Sequence, residues 1–141
     1  MASAAKLYTP QVLGLATSLA AYPWDADLPL RGAARSPSCG SSIDLALSLD
    51  PAGRIDRIGV RSQACAVGQA AAAIFAQAAK GSYPGDVVAA EQQIGAWLTG
   101  EGPAPSWPGL DAIAPARDYP GRHGAILLAW RAARDALSSP Q

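Results

Sequence analysis

Residues 42–62 constrain the fold more than any other stretch of the chain. From Ser42 to Asp50 the residues alternate, with Ile43, Leu45, Leu47 and Leu49 set against Ser42, Asp44, Ala46 and Ser48. A period of two places all four large apolar side chains on one face of a half-buried strand. Asp50-Pro51-Ala52-Gly53 follows, a run suited to a tight reversal. Alternation then resumes from Arg54 to Ser62 through Ile55, Ile58 and Val60, with a slip at Asp56-Arg57 that marks a bulge. The pattern specifies an antiparallel hairpin with one face committed to a core.

The rest of the chain reads as helices around that hairpin. Thr9 suits an N-cap and Pro10 a first helical position, and Val12, Leu13, Ala16 and Leu19 continue at helical spacing. Residues 23–37, rich in proline and charge, read as a loop or an edge strand. Ala66–Lys80 is alanine-rich and helical, and Gly81 stops it. Gly85–Leu98 is a further helix, Trp107–Ala114 a short one and Arg122–Leu137 the last, with Trp97, Trp107 and Trp130 as core anchors. Arg122, Arg131 and Arg134 form a solvated side of the last helix, and Gly40 and Gly68 serve close backbone approach. This order predicts an α+β fold with a small antiparallel sheet of about three strands, as a single domain over residues 1–141.

Eleven basic residues balance eleven acidic ones, which argues against nucleic acid as partner. The apolar runs fall short of the roughly eighteen residues a membrane helix needs, so no membrane association is expected. Val12–Ala21 has the small-residue ending of a signal-peptide core, but only Lys6 precedes it as positive charge and Tyr8, Pro10 and Gln11 interrupt the approach. The expected location is the cytoplasm. There is no Ser-His-Asp pattern, phosphate-binding glycine loop or paired carboxylate set, so the chain is not expected to be an enzyme.

The two cysteines flank the hairpin. Cys39 lies just before the first strand and Cys65 just after the second. Entry to one strand and exit from its antiparallel partner share one end of a sheet. Though 26 positions apart in sequence, the two thiols are therefore expected to be neighbours. Cys65 also opens the alanine-rich helix, where the N-terminus favours the thiolate that binds metal. Without further information, two small buried residues would fit the same pattern.

Pro37-Ser38-Cys39-Gly40, the hairpin with Asp50 and Gly53-Arg54-Ile55, Cys65 opening a small-residue helix that ends Lys80-Gly81, and Arg122 with Leu128-Ala129-Trp130 occur in that order. Together they resemble the U-type iron–sulfur scaffold proteins, the IscU, SufU and NifU N-terminal group, over about Leu7–Leu137. The resemblance implies a SufE/NifU-like fold with helices mainly on one face of the sheet. It implies a site on Cys39 and Cys65 for iron, a [2Fe–2S] cluster or zinc. It also implies a cysteine desulfurase or other assembly proteins as partners, and leaves a homo-oligomer open.

This chain departs from the family pattern at two ligand positions. Ser41 stands where the family has aspartate, and Ala125 stands where its third cysteine falls. His123, the only histidine, is a candidate third ligand, and Ser41 offers a hydroxyl. Clusters prefer thiolates, whereas zinc accepts two cysteines, a histidine and water. The expected function is a scaffold-like carrier with an incomplete ligand set. The alternatives are an interaction module that kept the fold and lost the metal, or a sulfur carrier that accepts a persulfide.

Overall fold

A computed structural model describes residues 7–37 and 40–138. The hairpin forms as its alternation requires. Strands β2 (Ser42–Leu49) and β3 (Ile55–Gln63) pair antiparallel, with Ser42 opposite Gln63 and Leu45 opposite Val60. The register shifts between Ser48, opposite Arg57, and Leu49, opposite Ile55, so Asp56 is the additional residue of a bulge. In the connecting turn Asp50 Oδ1 accepts the N–H groups of Ala52 and Arg54 at 2.9 Å each, and Gly53 takes a φ of 86°. The Arg54 N–H first, then the Ala52 N–H and the Arg54 charge, hold the Asp50 carboxyl below its usual range.

A third strand, β1 (Leu30–Arg35), resolves the proline-rich stretch: it is an edge strand, antiparallel to β2, in the order β1-β2-β3. Leu30, Gly32 and Ala34 face the same side as Leu47, Leu45 and Ile43, and the helices pack there.

Helix α1 (Pro10–Ser18) is capped by Thr9, whose Oγ1 accepts the Val12 N–H at 3.1 Å. Helix α2 (Ala66–Ala79) is buried along most of its length, with Ala70, Ala71 and Ala73 at 0% exposure. Alanine gives it high helix propensity and a thin profile, so neighbours approach from several sides. Helix α3 is Pro84–Leu98 and α4 is His123–Ser138. Helix α4 lies against β1 so closely that a Cβ at Gly32 would overlap the backbone of Ala132 and Ala136. Trp107 stacks on Phe75 at 5.6 Å, and Trp130 meets both edge-on at 5.5 Å. Trp97, Trp107 and Trp130 are buried core members, as their size predicts. The buried Trp130 Nε1 has no hydrogen-bond partner among the described residues.

Three expectations are corrected. The stretch after Trp107 is a 3-10 helix, Leu110–Asp118, rather than a short helix over 107–114; it contains Pro115, which removes a donor that an α-helical ladder needs. Arg131 and Arg134 are not simply solvated. They reach the largely buried Glu91 of α3, with Arg131 Nε at 3.5 Å and Arg134 Nη1 at 2.6 Å, and join α3 to α4. Gly40 answers a backbone need: its φ is 72°, and a Cβ there would meet no described residue within 4 Å.

Candidate metal or sulfur site at the open end of the hairpin

The end of the hairpin away from the Asp50 turn is where the candidate residues converge. Ser42 sits opposite Gln63, so the segments just before β2 and just after β3 leave the sheet side by side. Cys65 follows Gln63 by two residues and is the N-cap of α2, with extended backbone (φ −65°, ψ 169°). Its side chain makes no capping hydrogen bond, and it is a free thiol, half-buried against the core. A cysteine N-cap leaves the helix N–H groups without an oxygen acceptor and leaves the sulfur available. Gln69 ties down this corner: its N–H donates to the Cys65 carbonyl at 2.9 Å and its Nε2 to the Ala64 carbonyl at 3.0 Å.

Across the hairpin, the connection from β1 to β2 is closed by its own backbone. The Ser36 N–H donates to the Ser41 carbonyl at 2.8 Å, and the Gly40 N–H donates to the Ser36 carbonyl at 2.9 Å. Ser36 and Ser41 are both buried, at 0% and 5% exposure. Cys39 itself lies outside the described residues.

The first turn of α4 reaches the same corner. Ala125 is buried, and a Cβ placed on Gly68 would lie 3.4 Å from the Ala125 Cβ and 3.0 Å from the Ala64 Cβ. Gly68 stands three residues into the helix that Cys65 caps, which puts it one turn from the thiol. Position 125 therefore faces the Cys65 corner, and an alanine methyl fills it. Gly68 serves close approach, as the sequence suggests.

His123 is directed elsewhere. Positions 123 and 125 differ by about 200° around a helix, and the His123 Nε2 is 2.9 Å from the Arg117 carbonyl. That contact makes Nε2 the N–H donor and leaves Nδ1 as the ring nitrogen with a free lone pair. Ser41 contributes a buried hydroxyl at the hairpin end. Among the described residues no three histidine, cysteine, aspartate or glutamate side chains group together as a metal site. Sequence reasoning singled out Cys65, Ser41, His123 and Gly68 but missed Gln69, whose role depends on the cap geometry. No helix among the described residues is long and apolar enough to cross a membrane.

No family model matches the chain, and no curated protein matches it. Solved structures do. The N-terminal part of a nitrogen-fixing NifU-like protein from Brucella abortus superposes with a TM-score of 0.84 at 26% identity, over 94% of this chain and 92% of the other. The chain has the U-type iron–sulfur scaffold fold. A protein described as an iron–sulfur cluster assembly scaffold for the SUF system of thermophilic Fervidobacterium islandicum AW-1 also gives 0.84, at 16% identity over 96% of this chain and 100% of its own. A hypothetical protein aligns at 0.71 and 18% identity, over 91% of this chain and 97% of its own. The α+β class, the three-stranded antiparallel sheet and the resemblance to U-type scaffolds are thus borne out.

Proposed function

We propose that this chain is a scaffold-like protein of iron–sulfur cluster assembly that holds iron, a [2Fe–2S] cluster or zinc as cargo between Cys39 and Cys65. It works without an enzymatic activity of its own, in the cytoplasm, with a cysteine desulfurase or another assembly protein as partner. One observation carries the reading: Cys65 is an uncommitted thiol at the hairpin end beside the chain entry to β2, in a fold shared with a SUF-system assembly scaffold and a NifU-like protein. Two thiolates leave metal valences open. Water, a small external thiol or a second copy of the chain would fill them, with the Ser41 hydroxyl and His123 as the alternatives the sequence offers.

The test is metal analysis of protein purified without added metal, alongside Cys39→Ala and Cys65→Ala. Iron or zinc in the parent, lost in both variants, is the expected result. Equal metal content in all three proteins would refute it. A second reading has one observation in its favour. Ala125 packs tightly against the Gly68 corner, which suits an interaction module that kept the fold and closed the ligand position. That reading predicts no metal in any variant. A persulfide on Cys65, detected by mass after incubation with a desulfurase and cysteine, would mark the sulfur-carrier alternative.

A further inference from the structure

The outer edge of β3 is closed in two places and open between them. In an antiparallel pair every second residue turns its N–H and C=O away from the partner strand. The Val60 N–H donates to the Tyr22 carbonyl at 2.9 Å, so Val60 faces outward. The register is continuous from Arg57 to Val60, which turns Ile58 outward as well. Ile55 is closed from the other side: its N–H donates to the Ser82 carbonyl and its carbonyl accepts the Gly81 N–H, both at 2.8 Å. Segments from elsewhere in the chain therefore pair with β3 on both sides of Ile58, as a further strand would. The outward backbone groups of Ile58 have no hydrogen-bond partner among the described residues.

A cavity of about 370 Å³ stands at this gap, and it is lined from both faces of the sheet. Residues 23–28 cross the face away from the helices at Gly59, where a Cβ would lie 2.9 Å from the Pro23 oxygen and the Asp25 nitrogen. Trp24 and Leu28 of that crossing reach the cavity. From the helical side come Ala21 and Lys80, the latter at the C-terminal end of α2. Asp56, Arg57 and Ile58 supply the strand edge itself. The cavity thus straddles the edge of β3. Its apolar members include the buried Leu28 and the half-buried Ile58. Its charges balance: Arg57 pairs with Asp25 at 3.0 Å, and the exposed Asp56 and Lys80 carry one charge of each sign.

We propose that this gap takes a short, uncharged, extended segment of a partner protein, which pairs with Ile58 and completes the edge of β3. The backbone selects the class of occupant. Ile58 offers one donor and one acceptor in the strand-edge direction, and one extended peptide residue supplies the matching acceptor and donor in a single exchange. A phosphate or carboxylate satisfies the N–H alone and leaves the carbonyl unpaired. Residues 56–59 run ~13 Å at ~3.3 Å each, which admits about three residues of a guest between the two flanking segments. The balanced charges favour neither an acidic nor a basic segment, and Leu28 and Ile58 offer contact to an apolar side chain. Helix α2, with 14 residues, separates this gap from Cys65 by ~21 Å. A partner held here leaves the thiol end open, and the inference does not depend on the metal reading.

The experiment titrates the full 15N-labelled chain with a capped peptide of alternating threonine and valine. The same peptide N-methylated at its central amide, a glutamate-rich peptide and a lysine-rich peptide serve as separate arms. Amide shifts centred on residues 55–60, with slowed hydrogen exchange at the Ile58 N–H, are expected. N-methylation removes the donor to the Ile58 carbonyl and should weaken binding about tenfold or more. Ile58→Pro removes the outward N–H at an edge position, where proline is tolerated, and should abolish binding with the amide spectrum of the helices unchanged. Where that variant does not fold, the N-methylated peptide decides, because it leaves the protein untouched. Equal affinity for the plain and N-methylated peptides overturns the proposal. So do shifts that fall on β1 or the helices, an absence of shifts at about 1 mM peptide, or tighter binding of either charged peptide. The titration needs no metal, so its failure leaves the metal analysis untouched.

Discussion

Restoring a thiol at position 125 tests the site where sequence and structure meet most closely. Ala125 is 1% exposed and faces the notch that Gly68 leaves in α2. Ala125→Cys adds one sulfur to a packed corner. Overpacking costs about 1–3 kcal/mol, and the missing side chain at Gly68 sets the expected cost near the lower limit, ~1 kcal/mol. For a domain of this size that lowers Tm by about 4 °C. Zinc should reverse the loss. At a free concentration one hundred times its Kd it stabilises a native site by about 2.7 kcal/mol, or ~10 °C. If the two-thiol parent binds about a hundredfold more weakly, the same zinc adds only ~0.4 kcal/mol, under about 2 °C. The assay is thermal unfolding of parent, Ala125→Cys and Ala125→Cys with Cys65→Ser, each with and without zinc, in a phosphine reductant. The expected pattern is a large zinc shift in the single variant alone. An equal zinc shift in parent and single variant would falsify the placement of position 125 beside the thiols. Adding Gly68→Ala to Ala125→Cys closes the notch, so the pair should cost more than the sum of the single changes.

Two further predictions concern what holds the site-bearing elements in place. Gly32→Ala forces a methyl into the backbone of Ala132 and Ala136, so β1 and α4 must separate; a loss of about 2–3 kcal/mol or more is expected in urea unfolding, and a loss under ~0.5 kcal/mol would contradict the packing. Glu91→Gln removes the shared anion between Arg131 and Arg134, whose side chains are 41% and 52% exposed. Because that exposure screens the pair, the expected cost is about 1 kcal/mol, and it should shrink in 1 M salt; a cost that does not change with salt argues for a purely steric role.

Much of this fold is written in local pattern. Alternation in 42–62 specifies the hairpin, and its period of two allows one register that buries Ile43, Leu45 and Leu47 together. That register is what brings the flanks of β2 and β3, and with them Cys65, to one end. Thr9-Pro10 and the alanine run likewise fix where α1 and α2 begin, because caps and propensity act within a few residues. The order of the short motifs was enough to suggest the scaffold fold.

Tertiary structure alone decided the rest. Nothing local tells Leu30–Arg35 to be a strand: its pairing to β2 and its close seat on α4 through Gly32 do so. The arginines of α4 look solvated until α3 brings Glu91 beside them, 40 and 43 residues away in the chain. Position 125 reads as a lost ligand in sequence. Only the contact with Gly68 shows that it faces the thiol-bearing corner and is already filled. Trp24 comes to lie under the Arg61 guanidinium because residues 23–28 cross the sheet at Gly59, where a side chain would block them. The division has a physical cause. Hydrogen-bond periodicity and capping depend on neighbours in sequence, whereas burial, ion pairing and the shape of a site depend on distant segments that share one small volume.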